Sequence, residues 1–314
     1  MFRTHTHTHI EFTRGNWLPA AIIAAMARSI LVVVLLAIIA ASVNSLALSR
    51  SAVLKPFADG NALKVISGLN NLNVQNVKNV AWAANMGGAS HIDIACDANL
   101  VREARSVCSL PICVSSIKPA DFVAAVAAGA DMVEIGNFDS FYEQGLKFTA
   151  EDIVAMTIET RKLLPTTPLS VTIPHTLPLS EQVTLAKRLE QCGADIIQTE
   201  GKMGVNPSSM GVQQLIELAA PTLASAFALS RAVAVPVMCA SGLTDVTCPL
   251  ALAAGARGVG VGSMVNKLSG QQQMLMAVSA IAESIGRAAS PPEHSEAQNA
   301  RAAVSAPTKI KQNV

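Results

Sequence analysis

Six polar residues recur on one face of successive short β-branched runs: Lys64, Asp93, Ser115, Glu134, Thr172 and Gln198. A lysine and two carboxylic acids turned inward from separate strands could move a proton. Glu134 or Asp93 would serve as general base on a carbon acid or hydroxyl, and Lys64 would stabilise negative charge or form a Schiff base with a carbonyl. The same three groups could equally make an ion network that only fixes the core. His175, just after VTIP, stands where a general acid would act or where a structural hydrogen bonder would sit. Asn137 and Asp139 in IGNFDSFYEQG suit a sugar hydroxyl or an Asx turn. Glu200 opens EGKMGVNPSSMG, long for such a connection, which reads as a lid with Lys202 closing on phosphate or as plain surface.

These residues need a frame that brings separate strands together. From about residue 61 the chain alternates β-branched runs with longer amphipathic stretches, the pattern of parallel strands joined by helical crossovers. Eight strands are expected: LKVIS, SHIDIA, PICVSS, DMVEIG, LSVTIP, DIIQTE, PVMCAS and RGVGVG. Several intervening helices share one ending, GGASHID, AAGADMVE, QCGADIIQ and AAGARGVG, in which glycine closes the helix. Eight units fit an α/β protein of the (β/α)8 TIM barrel type better than a doubly wound open sheet, and functional groups then collect at the strands' C-terminal ends.

In such barrels a phosphate commonly sits between the loops after strands seven and eight. Here those loops read ASGLTD and GVGSMV. Gly242, Gly262 and Ser263 lack bulk where an anion approaches the backbone, and Ser241 and Ser263 add hydroxyl donors. Gly258 and Gly260, within the strand itself, read as relief of crowding where helices pack on it.

The 314 residues are 51% hydrophobic and 14% charged, with a net charge of +1 and 4% aromatics. That composition fits a globular chain with a large core and excludes a nucleic-acid partner, since basic tracks and stacking platforms are missing. Residues 1–47 read as a discarded leader. An apolar run from Ile30 to Ala41, shorter than the roughly 20 residues of a membrane span, precedes Ser45 and Ala47, a signal-peptidase pattern with cleavage after Ala47. An anchor is the alternative if PAAIIAAM joins the run, and no stable membrane association is expected once the leader is removed. Residues 48–60 read as a transit or linker segment, 61–287 as the barrel and 288–314 as a disordered Pro/Ala/polar tail. The early THTHTH tract belongs to the leader, so no metal site is expected. The six cysteines show no zinc-type pairing and read as buried thiols, which fits an organelle reached through the secretory route, such as a plastid with extra membranes.

Long motifs in order, among them LKVISGLNN, GGASHIDIACD, GADMVEIGNFDSFYEQG and PVMCASGLTDVTCPLALAAGARGVGVGSM, resemble the hypothetical chloroplast reading frame twenty-three family of algal plastids and cyanobacteria over Leu63 to Met264. The resemblance implies a plastid setting, here the stroma, and a fold similar to the ribulose-phosphate-binding barrels, but no particular reaction. The leader departs from that pattern and implies a copy made in the cytosol and imported.

Three functions follow from these residues. The first is a lyase, isomerase or aldolase type enzyme on a phosphorylated small metabolite, using Lys64, Asp93, Glu134 and His175. The second is an oxidoreductase whose FMN phosphate occupies the loops of Ser241, Gly242, Gly262 and Ser263. The third is a non-catalytic metabolite sensor.

Overall fold

The computed structural model describes residues 48–136, 138–142, 144–201 and 210–287, without the side chains of residues 139 and 140. The leader, the tail, Asn137 and Lys202 lie outside the described residues.

Eight parallel strands close into a barrel in sequence order. They are β1 (Ala62–Gly68), β2 (His91–Ala95), β3 (Ile112–Ser116), β4 (Met132–Ile135), β5 (Leu169–Thr172), β6 (Ile196–Gln198), β7 (Val237–Ala240) and β8 (Gly258–Val261). All eight expected runs are there, β1 one residue longer at each end and the others trimmed by no more than a few residues. Around them lie α2 (Val74–Met86), α3 (Ala98–Arg105), α4 (Asp121–Ala127), α6 (Ala150–Leu163), α7 (Leu179–Gln191), α8 (Val212–Leu229), α9 (Cys248–Ala253) and α11 (Gln271–Ser284). Two single turns, α5 (Asp139–Tyr142) and α10 (Ser263–Asn266), and an N-terminal helix, α1 (Arg50–Asp59), complete the described elements. Strand alternation sends Val65, Ile94, Val133, Val171, Val259 and their neighbours outward, where they form the main core against the helices.

The shared helix endings are one device repeated ahead of the even strands. Gly88, Gly129, Gly193 and Gly255 all have left-handed φ, from +88° to +110°. The alanine after each donates to a carbonyl five residues back, which closes the helix as a Schellman turn does. The next residue aligns the sheet: Ser90 Oγ, Asp131 Oδ2 and Asp195 Oδ2 each accept, at 2.9 Å, the N–H of Leu63, Ile112 and Leu169 at the preceding odd strand. Arg105 pairs with Asp131, and Arg161 with Asp195. The fourth copy carries Arg257, whose guanidinium turns instead to the carbonyls of Phe57 and Ala58. Three residues beyond these positions stand Asp93, Glu134, Gln198 and Gly260, so three of the six inward polar residues occupy a single position of a fourfold repeat, and Lys64, Ser115 and Thr172 come from the odd strands between.

Residues 48–60 are not a linker. Ser49 caps α1, and its Val53 and Phe57 are fully buried against Ala62, Cys113, Met132, Ile196 and Met238, closing the N-terminal end of the barrel. The periodicity of RSAVLKPFAD is too short and too diluted by charge to show this. The partner surface belongs to residues far along the chain.

The glycines of β8 also have a different cause from the expected one. A Cβ on Gly258 would lie 2.7 Å from the Cβ of Ala62, and one on Gly260 would lie 3.0 Å from the Cβ of Ala240. The crowding therefore comes from the barrel interior, while Val259 and Val261 take the helix side. Gly258→Ala is expected to cost about 1–3 kcal/mol, read from urea unfolding. A loss near zero would mean that β1 and β8 part easily.

Helix α8 is long and apolar enough to cross a membrane by length and composition. Its Thr222 and Ser225 nevertheless bond Ala240 and Gln182, as a barrel helix requires.

Candidate functional site

The barrel interior brings all six expected polar residues together. Lys64 Nζ donates to Glu134 Oε2 and lies 3.8 Å from Asp93 Oδ2. Ser115 Oγ donates to Asp93 Oδ1 at 2.7 Å. Gln198 Nε2 donates to Glu134 Oε1 at 2.7 Å and to Thr172 Oγ1 at 3.1 Å. Lys64 and Glu134 have no solvent exposure at all, and Asp93 is 1% exposed. Burial by itself would strip the lysine of its proton. The carboxyl groups of Glu134 and Asp93 outweigh that effect and raise its pKa above the ordinary lysine value. The amine is thus held as an ammonium, which suits charge stabilisation and opposes the Schiff-base role.

A second polar cluster lies where β5 and β6 end. Glu200 Oε2 accepts from the His175 backbone N–H at 3.1 Å, faces His175 Nδ1 at 3.0 Å and accepts from the Tyr142 hydroxyl at 3.0 Å. The Tyr142 and His175 rings meet edge to face, 5.0 Å between centroids. His175 is therefore joined to Glu200, a pairing that sequence reasoning missed along with Tyr142. The chain's single tyrosine, inside FDSFYEQG, was the available signal.

The β7 and β8 loops emerge side by side, since Ala240 pairs with Gly260. Ser241 is the one non-glycine with left-handed φ among the described residues, +78°, and Gly242 follows at +69°. That conformation is costly for a serine and is characteristic of functional loops. Gly242 is required by packing as well, because a Cβ would lie 2.5 Å from the Leu218 carbonyl oxygen. The N–H groups of Ser241, Gly242 and Leu243 meet no backbone acceptor among the described residues. Those of Ser263 and Met264, opening α10, have no intrahelical acceptor. At Gly262 a Cβ would find nothing closer than 3.7 Å.

A surface cleft bounded by Arg50, Arg161 and Asp195 lies at the opposite end of the strands. Ion pairs between Asp195 and both arginines occupy its charge. All six cysteines are free thiols, four of them buried. No cluster of three or more metal-ligating residues occurs among the described residues.

Comparison with known proteins agrees with this architecture. Among solved structures the chain is similar to (S)-3-O-geranylgeranylglyceryl phosphate synthase from Thermoplasma acidophilum, at TM-score 0.54 and 14% identity over 76% of this chain and 98% of that one. It is also similar to 3-hexulose-6-phosphate synthase, at TM-score 0.53 and 14% identity over 72% and 100%. Identity at that level speaks for the fold alone, and both are barrels of this type. In sequence, the chain is 49% identical over 214 residues to the ycf23 protein of Cyanophora paradoxa, covering 68% of this chain and 88% of the relative. The family model described as "Protein of unknown function (DUF561)" matches residues 48–290, which takes in α1 as well as the whole barrel. On both counts the chain belongs to the ycf23 family of chloroplast reading frames.

Proposed function

We propose that the chain is a plastid enzyme that binds a phosphorylated small metabolite at the C-terminal mouth of the barrel and carries out a lyase or isomerase type reaction there. Ser241, Gly242, Gly262 and Ser263 hold the phosphate. The Lys64, Asp93 and Glu134 layer forms the floor, with its ammonium facing developing negative charge and a carboxylate serving as base. His175, oriented by Glu200, serves as the acid at the rim. The observation that carries the phosphate assignment is the left-handed Ser241–Gly242 pair, whose N–H groups meet no backbone acceptor among the described residues, set beside Gly262. Both fold neighbours are, by name, enzymes of phosphorylated compounds, and one was solved with sn-glycerol-1-phosphate.

One observation favours chemistry over a purely structural network. Ser170, paired in register with Glu134, has a buried hydroxyl without a hydrogen-bond partner, and so does the Gln198 amide oxygen. A network whose only task is to fix the core satisfies its own polar groups. Here capacity is left for a reacting group. The stroma is the compartment we infer, from the plastid-encoded relatives.

The test is native mass spectrometry, with an absorption spectrum, of the protein purified from its own cells. A colourless protein carrying a phosphorylated metabolite is expected. Gly262→Asp should abolish that binding and leave stability nearly unchanged, since the new side chain has space while its charge repels phosphate. A retained flavin would move the protein to redox chemistry. Unaltered binding in Gly262→Asp would remove the phosphate from these loops.

A further inference from the structure

A cleft of about 280 Å³ opens between α7 and α8 and ends at His175 and Glu200. Its walls are Leu179, Pro221 and Ala224, with Gln182 and Ser225 between them. Among the described residues no lysine or arginine lines it, and its one basic group, His175, already faces Glu200 Oε2. The two polar side chains are engaged locally: Ser225 Oγ donates to Gln182 Oε1 at 2.8 Å, and Gln182 Nε2 donates to the Leu177 carbonyl at 2.8 Å. Glu200 is different. It is 4% exposed, its Oε2 collects the contacts from His175 and Tyr142, and its Oε1 is buried without a hydrogen-bond partner.

A buried carboxylate oxygen with no donor is costly, and the cost is removed when a donor arrives. The surroundings decide which donor. An end formed by Glu200, with no lysine or arginine among the described lining residues, disfavours phosphate and carboxylate ligands, and apolar walls call for a body without many polar groups. The volume sits just under the usual range for small-molecule sites, roughly 300–1,000 Å³, so the ligand is small. A charged donor gains more from a carboxylate in apolar surroundings than a neutral one does.

We propose that the α7–α8 cleft is a binding site for a small organic ammonium ion, with its charged nitrogen on Glu200 and its short apolar body against Leu179, Pro221 and Ala224. This site is separate from the phosphate loops, and its ligand is of opposite charge. It shares one residue with the mouth, His175, because Glu200 cannot take a cation without altering its contact to that ring.

The experiment is titration of the full chain with n-butylamine at pH 7, followed by calorimetry and by the His175 ring resonances. 1-Butanol and butyrate serve as isosteric controls. The amine should bind at least tenfold more tightly than either control and shift the His175 signals. Glu200→Gln should reduce amine binding at least tenfold. Ala224→Phe, at an exposed position of α8, should block it by filling the cleft without touching Glu200. Gly262→Asp should leave it intact, so the phosphate assignment and this one fail separately. Equal binding of amine and alcohol, retention of amine binding in both Glu200→Gln and Ala224→Phe, or no amine binding would each overturn the proposal.

Discussion

Lys64→Met is expected to destabilise the protein by about 3–5 kcal/mol, the largest loss from any single change in the barrel interior. The lysine is fully buried, and its ammonium is the cation facing both Glu134 and Asp93. Methionine fills nearly the same volume, so packing changes little. What remains is two buried carboxyl groups that have lost the cation both of them faced, in a place where water cannot replace it. Adding Glu134→Gln to Lys64→Met should recover about 1–3 kcal/mol, because the amide removes one of the stranded acids. Urea unfolding of the two variants and the parent measures both quantities. A loss under about 1 kcal/mol for Lys64→Met would show that the layer is held by its neutral hydrogen bonds, and the charge-stabilising role given to Lys64 would go with it.

The second large effect is an acid dependence set by His91. This ring sits at the base of the barrel, fully buried, with Nδ1 2.8 Å from Ser90 Oγ and Nε2 2.9 Å from the Val53 carbonyl oxygen. A carbonyl can only accept, so Nε2 carries the hydrogen, and the neutral ring takes the Ser90 hydroxyl on Nδ1. Burial, opposed by the Val53 bond and reinforced by the Lys64 and Arg287 charges, lowers the pKa from 6.5 to about 3. The unfolded chain therefore binds a proton below pH 6.5 that the folded chain refuses. The associated stability is present above pH 6.5 and is lost as pH falls toward 3, by about 2 kcal/mol at pH 5 and about 4 kcal/mol at pH 3. His91→Gln retains a donor for Val53 and cannot titrate. Between pH 7.5 and pH 5 the variant should lose about 2 kcal/mol less than the parent. Equal slopes for the two proteins would mean that His91 takes up its proton as readily in the fold as in the unfolded chain.

Most of the scaffold was legible because its signals are local. Each strand is a β-branched run, each crossover carries its own period, and the repeated glycine endings mark where helices stop. The inward set of Lys64, Asp93, Ser115, Glu134, Thr172 and Gln198 was legible for the same reason. A period of two assigns faces without knowledge of neighbours. What escaped notice depends on meetings between distant segments. Helix α1 has meaning only against the base of a closed barrel. His91 looks like one more polar residue until Val53 is placed beneath it. Glu200 and His175 stand 25 positions apart and become one unit through loop geometry, as does Tyr142. The glycines of β8 could be noticed as odd, but the direction of the crowding required the positions of Ala62 and Ala240.

The fourfold helix ending has a consequence for how the protein can change. Closure is written into four separate quarters, each with its own glycine, its own alanine turn and its own residue at the head of the even strand. The residue that faces the centre of the barrel stands three places further on and takes no part in that alignment. Asp93, Glu134, Gln198 and Gly260 are therefore four settings of one dial. Gly260 is fixed by the Ala240 side chain beside it, but selection can turn the other three without disturbing the instructions that shut the barrel, so the architecture can persist through a lineage while the chemistry at its axis drifts.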